Sequence, residues 1–280
     1  MSAPLPAARK RKTSGGEEGQ AATANQSVTT SARILGELAS SSQPLGVSEL
    51  ARRLGESKAR IFRHLATMRQ VGFVSQDHSG DDYRLGWNIY RLGVAAAEQV
   101  GVMRLAERHM RQLRDATGET VALAIPANGE ALVVGSVQSE RPIALSMRHG
   151  VVIPANSSAL ARVLLAFSGE DIQKRVLART PRALSESAIT DPALLRKRLD
   201  AVRQRWWEVA TGENVYGVST LATPVFDQDD AIVAAVGIVA AATSSAKTPD
   251  PRLLAAVEDC AAAISAEFNS AAWVRRRAAD

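Results

Sequence analysis

GVSELARRLGESKARIFRHLATM, residues 46–68, reads as two short helices on either side of a tight turn. Val47, Leu50, Ala51 and Leu54 recur at three- and four-residue spacing, the buried stripe of a first helix. Gly46 is a tolerable N-cap for it, and Glu49 puts a carboxylate in the first turn, where the helix dipole favours one. Gly55 closes it as a left-handed C-terminal residue would. Ser57 then caps a second helix, whose inward residues are Ile61, Leu65 and Met68 and which ends before Gly72. Two helices joined by a Gly-containing turn have helix-turn-helix spacing. Any helical pair with a short turn can imitate that spacing, so the flanks decide.

Upstream, Val28, Ala32, Leu35, Leu38 and Ala39 predict another helix, ended by the run Ser40 to Pro44. Downstream, Phe73-Val74-Ser75 and Tyr83-Arg84-Leu85 read as short strands around a turn at His78 to Asp81, the place of a wing. Charge agrees with this reading. Residues 93–280 carry equal numbers of basic and acidic side chains, so the formal excess of +5 lies wholly in the first third. Arg52 to Arg69 holds six basic residues against Glu56 alone, which suggests a phosphate-facing surface. A solvated helical face is the bland alternative. Residues 1–26 lack apolar periodicity and are expected to be a disordered arm; 27–86 form the winged helix-turn-helix.

A connecting helix is expected from Trp87 to about Glu98, then another from Val102 to about Thr117 with Leu105, His109 and Leu113 inward. Beyond it the grammar changes. Strand-like runs fall at Thr120–Ile125, Ala131–Val137, Ile143–Met147, Val218–Val225 and Ile232–Val239. Helices are expected at Ser158–Ala166, Glu170–Val176, Pro192–Glu208 and Pro251–Ser270. Residues 99–272 therefore read as an α+β domain with an antiparallel sheet and packed helices. The lone Cys260 excludes an internal disulfide. With no apolar run long enough for a membrane and no secretory leader, the expected setting is cytoplasmic.

At Leu50 to Gly55, Arg63-His64-Leu65, Gly72-Phe73-Val74 and Tyr83 to Gly86 the chain resembles the winged-helix domain of IclR-family transcription regulators. It is similar to that family's effector domain at Pro154 to Ala159, Gly212 to Val218 and Leu221 to Asp227. The resemblance implies a GAF/PAS-like sheet, binding to a double-stranded DNA operator, a small-molecule effector, and homodimers or homotetramers. Its departures lie in the effector half. Leu160-Ala161-Arg162 replaces a small-Gly-Lys sequence, Trp206-Trp207 a Gly-Tyr pair, and Gly237 and Val239 stand where serine is common.

For DNA, the N-terminal part of a recognition helix faces the major groove, which selects Ser57, Lys58, Ala59, Arg60, Arg63 and His64. Arg60 and Lys58 are expected at base edges, and Ser57 and Arg63 at phosphates, with Arg84 of the wing as a further backbone contact. For the effector, the resemblance implies a pocket lined by Leu145, Ser158, Ala159, Leu160, Ala210, Thr220, Gly237 and Val239. Arg148 and Arg162 flank it and are expected to face water. With no serine donors from the last strand, an aromatic or weakly charged ligand is expected over a small keto acid. Cofactor and metal motifs are absent, and no base accompanies Ser157 or Ser158, so catalysis is not expected. The rival reading is a scaffold without an effector, whose second domain only sets the spacing of DNA half-sites.

Overall fold

The computed structural model describes residues 25–76, 81–142, 144–179, 181, 183–242 and 248–279, with only the backbone of 97–100. The chain divides into two compact units between residues 99 and 100. The arm at 1–24 and the wing turn at 77–80 lie outside the described residues.

In the first unit, α1 (Gln26–Ser40) starts on Asn25, whose side chain accepts from the backbone N–H groups of Ser27 and Val28. Its inward line is Thr30, Ile34 and Leu38. Val28, expected inward, is exposed, because the four-residue spacing that seats Ile34 runs through Thr30. A two-residue strand β1 (Leu45–Gly46) leads into α2 (Val47–Leu54). Gly55 adopts φ +68° there, and its N–H bonds to Ala51 O, the left-handed closure that only glycine makes without steric cost. Ser57 Oγ then accepts from Arg60 N–H and starts α3 (Lys58–Gln70), with Ile61, Leu65 and Met68 buried. β2 (Val74–Gln76) and β3 (Asp82–Leu85) form the wing, Ser75 opposite Arg84. β1 adds to the other side of β3, a third strand too short to be seen in the sequence. α4 follows (Trp87–Val100).

The second unit opens with α5 (Val102–Thr117). Its buried line is Val102, Ala106, Met110 and Leu113. Leu105 and His109 flank that line instead of lying in it; His109 Nε2 is 3.1 Å from Glu267 Oε1. Next come β4 (Thr120–Ala127), β5 (Glu130–Val137), β6 (Val152–Ile153), a 3-10 turn at Ala155–Ser157 and α6 (Ala159–Ala166). After these lie α7 (Glu170–Leu177), α8 (Pro192–Arg205), β7 (Glu208–Thr211), β8 (Val218–Phe226), β9 (Ile232–Ala241), α9 (Pro251–Glu267) and α10 (Ala272–Ala279). The sheet runs β6-β5-β4-β9-β8-β7, with every pairing antiparallel. Val121 and Leu123 pack with α5 and α9, while Ala122 and Ala124 pack beneath α6. Burial on both faces explains why β4 reads as a continuous apolar run instead of an alternation.

Three expectations are corrected. Residues 144–147 form no strand: Thr120 Oγ1 donates to Leu145 O and Ser136 Oγ to Met147 O, so side-chain hydroxyls hold the segment where a backbone ladder was expected. α8 stops at Arg205, because Trp206 turns to φ 65° and its ring enters a cluster with Phe167, Phe226 and Trp273. Beyond Ser270 an unexpected α10 is anchored where Trp273 Nε1 donates to Pro224 O at 3.1 Å. Among the described residues, no helix is long and apolar enough to cross a membrane.

Candidate DNA-binding surface and ligand pocket

Of the residues expected to meet DNA, Lys58, Ala59, Arg63 and Arg84 are exposed. Lys58 and Arg63 have no hydrogen-bond or ion-pair partner for their side chains among the described residues. Arg60 does not join them. Its Nη2 donates to Thr30 Oγ1 at 3.1 Å and its Nη1 lies 3.2 Å from Glu56 Oε2, so the guanidinium ties α3 back to α1. His64 turns the same way, its Nδ1 hydrogen-bonded to Ser31 Oγ at 3.0 Å. Both point away from the face that carries Lys58, because residues three and four apart share a face of a helix while 60 and 64 follow one line and 58 and 62 another. Phe62, which charge and motif reasoning passed over, is 56% exposed beside Lys58.

Of the acidic side chains near this face, Glu49 and Glu56 are held in pairs, whereas Asp81 and Asp82 of the wing, which share a concavity with Lys58 and Phe62, have no such partner among the described residues. Glu49 accepts from Arg52 and Arg53, and those hydrogen bonds hold its carboxyl at about 2, well below the ordinary 4.5. A carboxylate so committed offsets its own arginines, so the charges left open near the face are Lys58 and Arg63 against Asp81 and Asp82 of the wing.

In the second unit a cavity of about 190 Å³ opens beside α6. Leu145, Ser158, Leu160, Ala210, Thr220 and Val239 line it, brought together from a loop, a helix and three strands. Ala159 and Gly237 do not line it. Gly237 sits in mid-β9 opposite Ala122 and Ala222, and a Cβ there would collide with Leu221 O and stand 3.0 Å from Ala222 Cα. Its missing side chain serves the close approach of β8, not a ligand. Met147, Ile153, Ser157, Val218 and Glu213 also line the cavity. Ser157 and Glu213 fall in the two quoted motifs; the signal was present, but serine before a helix reads as a cap and Glu213 as a turn residue. Ser158 is the cap, accepting from Ala161 N–H, whereas Ser157 Oγ is buried without a hydrogen-bond partner.

Arg162, expected to face water, is wholly buried. Its Nε lies 3.2 Å from Glu208 Oε1, and its Nη1 lies 2.7 Å from Glu213 Oε2 and donates to Ala155 O. Arg198 and Arg205 complete the shell of Glu208, itself fully buried. Burial pushes the Arg205 guanidinium down from its ordinary value, an effect that Glu208 opposes. Arg162 is therefore paired with two carboxylates, Glu208 buried away from the cavity and Glu213 in its lining, while its Nη2 is buried without a hydrogen-bond partner. The carboxylate that faces the cavity is Glu213. Among the described residues no group of histidine, cysteine and carboxylate side chains is arranged to hold a metal.

A winged helix-turn-helix joined in sequence to an α+β unit with a ligand-sized cavity is the plan of a DNA-binding transcription regulator. Residues 27–78 match the IclR helix-turn-helix domain and residues 94–266 the bacterial transcriptional regulator IclR C-terminal domain. The chain belongs to the IclR family. It is 30% identical over 195 residues to the HTH-type transcriptional regulator KdgR of Escherichia coli K12, covering 69% of this chain and 74% of that one. It is 27% identical over 244 residues to the transcriptional repressor IclR of the same organism, covering 85% and 88%. A putative IclR transcriptional regulator from Silicibacter sp. TM1040 superposes with a TM-score of 0.76 at 25% identity, over 87% of this chain and 96% of that one.

Proposed function

We propose that this chain is a ligand-responsive repressor of a catabolic operon, and that a small aromatic or weakly charged metabolite entering the cavity beside α6 changes its hold on DNA. The cavity carries this reading. A dry cavity of about 150 Å³ accepts benzene, so about 190 Å³ suits a single ring with one or two substituents. Leu145, Met147, Ile153, Leu160, Val218 and Val239 supply apolar walls. Ser157, Ser158 and Thr220 supply hydroxyls, and Ser157 Oγ has bonding capacity to spare. Among the described residues that line the cavity none is a cation, and the one carboxylate there, Glu213, is already paired with Arg162, so a free carboxylate would be buried without a charge partner, which disfavours small keto acids. Repression is drawn from the relative named as the transcriptional repressor IclR.

In this reading residues 27–86 bind a double-stranded operator, with Ser57, Lys58, Ala59, Arg63 and Arg84 toward it. Residues 87–98 connect, 99–272 bind the effector and support a homodimer or homotetramer in the cytoplasm, and 1–24, ahead of the Asn25 cap of α1, are dispensable for folding. A scaffold without an effector is the competing reading. Thermal melting against substituted benzenes and keto acids separates the two, since a ligand that binds only the folded state raises Tm by mass action. The expected result is a rise with a neutral or phenolic ring and none with pyruvate. Val218→Trp, which fills the cavity, should abolish the rise and retain operator binding. No response to any ring, or a response to pyruvate alone, would overturn the effector assignment.

A further inference from the structure

We propose that Phe62 is a specificity-determining residue of the DNA-binding surface and reads the 5-methyl group of a thymine in the major groove. The inference rests on the DNA-binding reading and adds to it the identity of a base pair. α3 buries Ile61, Leu65 and Met68 and turns its opposite side outward. On that side Phe62 stands one turn after Lys58 and Ala59 and next to Arg63, with 56% of its surface exposed.

A lone exposed phenylalanine is ordinary on a protein surface. This one is set apart by its position. It lies in the N-terminal half of the recognition helix, the part that approaches base edges, and it is flanked by two cations without side-chain partners among the described residues. Arg60, the side chain in that first turn best suited to grip a guanine with two hydrogen bonds, is engaged by Glu56 and Thr30. The group presented from the middle of the contact face is therefore a phenyl ring, which neither donates nor accepts a conventional hydrogen bond. Of the four bases, only thymine offers an apolar group on the major-groove edge. Against cytosine N4 or adenine N6 the same ring would strip water from a donor and return nothing, so it selects by exclusion as well as by contact. Lys58 and Arg63, on either side, are placed to hold the neighbouring phosphates.

The test uses the full-length protein and a duplex enriched by selection from a random library. Each thymine of the enriched site is replaced singly by uracil, which removes the methyl group and leaves the pairing unchanged. In each half-site one thymine should prove sensitive, its replacement weakening wild-type binding about fourfold, the worth of one buried methyl-sized group. Phe62→Ala should weaken binding to the thymine duplex to a similar degree or more and be indifferent to uracil at that position. Phe62→Leu should keep part of the sensitivity. Because the side chain is exposed, circular dichroism of both variants should match the wild type. If no thymine methyl matters to the wild type, or if the sensitive thymine stays sensitive in Phe62→Ala, the assignment is overturned. If selection enriches no sequence at all, the DNA-binding reading falls first and takes this one with it.

Discussion

Two side chains of the second unit behave differently from what their types suggest. Arginine is rarely buried whole, yet Arg162 is, with Glu208 equally sealed beside it. Such a group is tolerated only while its partners remain, and removing one partner of a buried pair costs about 3–5 kcal/mol. Arg162→Met should lower the unfolding free energy read from urea denaturation by an amount in that range. Arg162→Lys should recover only part of the loss, because an ammonium cannot bond Glu208 and Glu213 through separate guanidinium nitrogens. Cys260 shows burial acting on a neutral group: it pushes the thiol from the ordinary 9.0 up to about 12. Between those values the unfolded chain releases the thiol proton while the folded chain keeps it. This residue's contribution thus leaves stability unchanged below about pH 9 and lowers it as pH rises toward 12. Denaturation curves of wild type and Cys260→Ala should run parallel at neutral pH, with the wild type falling away more steeply in alkali.

At the scale of elements, the helices were legible where local chemistry marks their ends. Gly55 and Ser57 act in the structure as their types propose, and α2, α3 and α5 begin and end within a residue or two of the apolar pattern, whereas Asn25, the cap of α1, lies within the stretch expected to be a disordered arm. The strands of two residues, β1 and β6, carry too little sequence to show a period. The segment 144–147 carried a strand's composition but met hydroxyls where a ladder was expected. Legibility of the candidate sites followed the same division. Exposed cations on a capped helix were found; the direction in which Arg60 and His64 turn depends on Thr30 and Ser31, some 30 residues away, and was not. The cavity gave up six of eight expected residues, while Gly237 was misread because a glycine in a strand can mark either room or contact. Here it marks contact. Gly237→Ala should therefore destabilise the second unit by about 1–3 kcal/mol through forced separation of β8 and β9. A melting curve that leaves Tm unchanged would return Gly237 to the ligand.

For the whole molecule, the homodimer proposed above sets the geometry of the DNA it would occupy. Two-fold homodimers of winged helices recognise half-sites about one helical turn, or a multiple of it, apart. Footprinting on an enriched duplex should show paired protections at that period, and a lone protected half-site would contradict a dimer. How copies can meet is limited by the sheet. Its outer strands are β6, two residues long, and β7, four residues long, and β7 begins at Glu208, clamped by three arginines. A neighbouring chain seeking to extend the sheet finds few open backbone groups on which to lay a strand. Those two outer strands thereby offer little template for the edge-to-edge stacking that seeds fibres. Crowding and concentrated storage should drive it toward reversible association of its helical faces, and not toward amyloid.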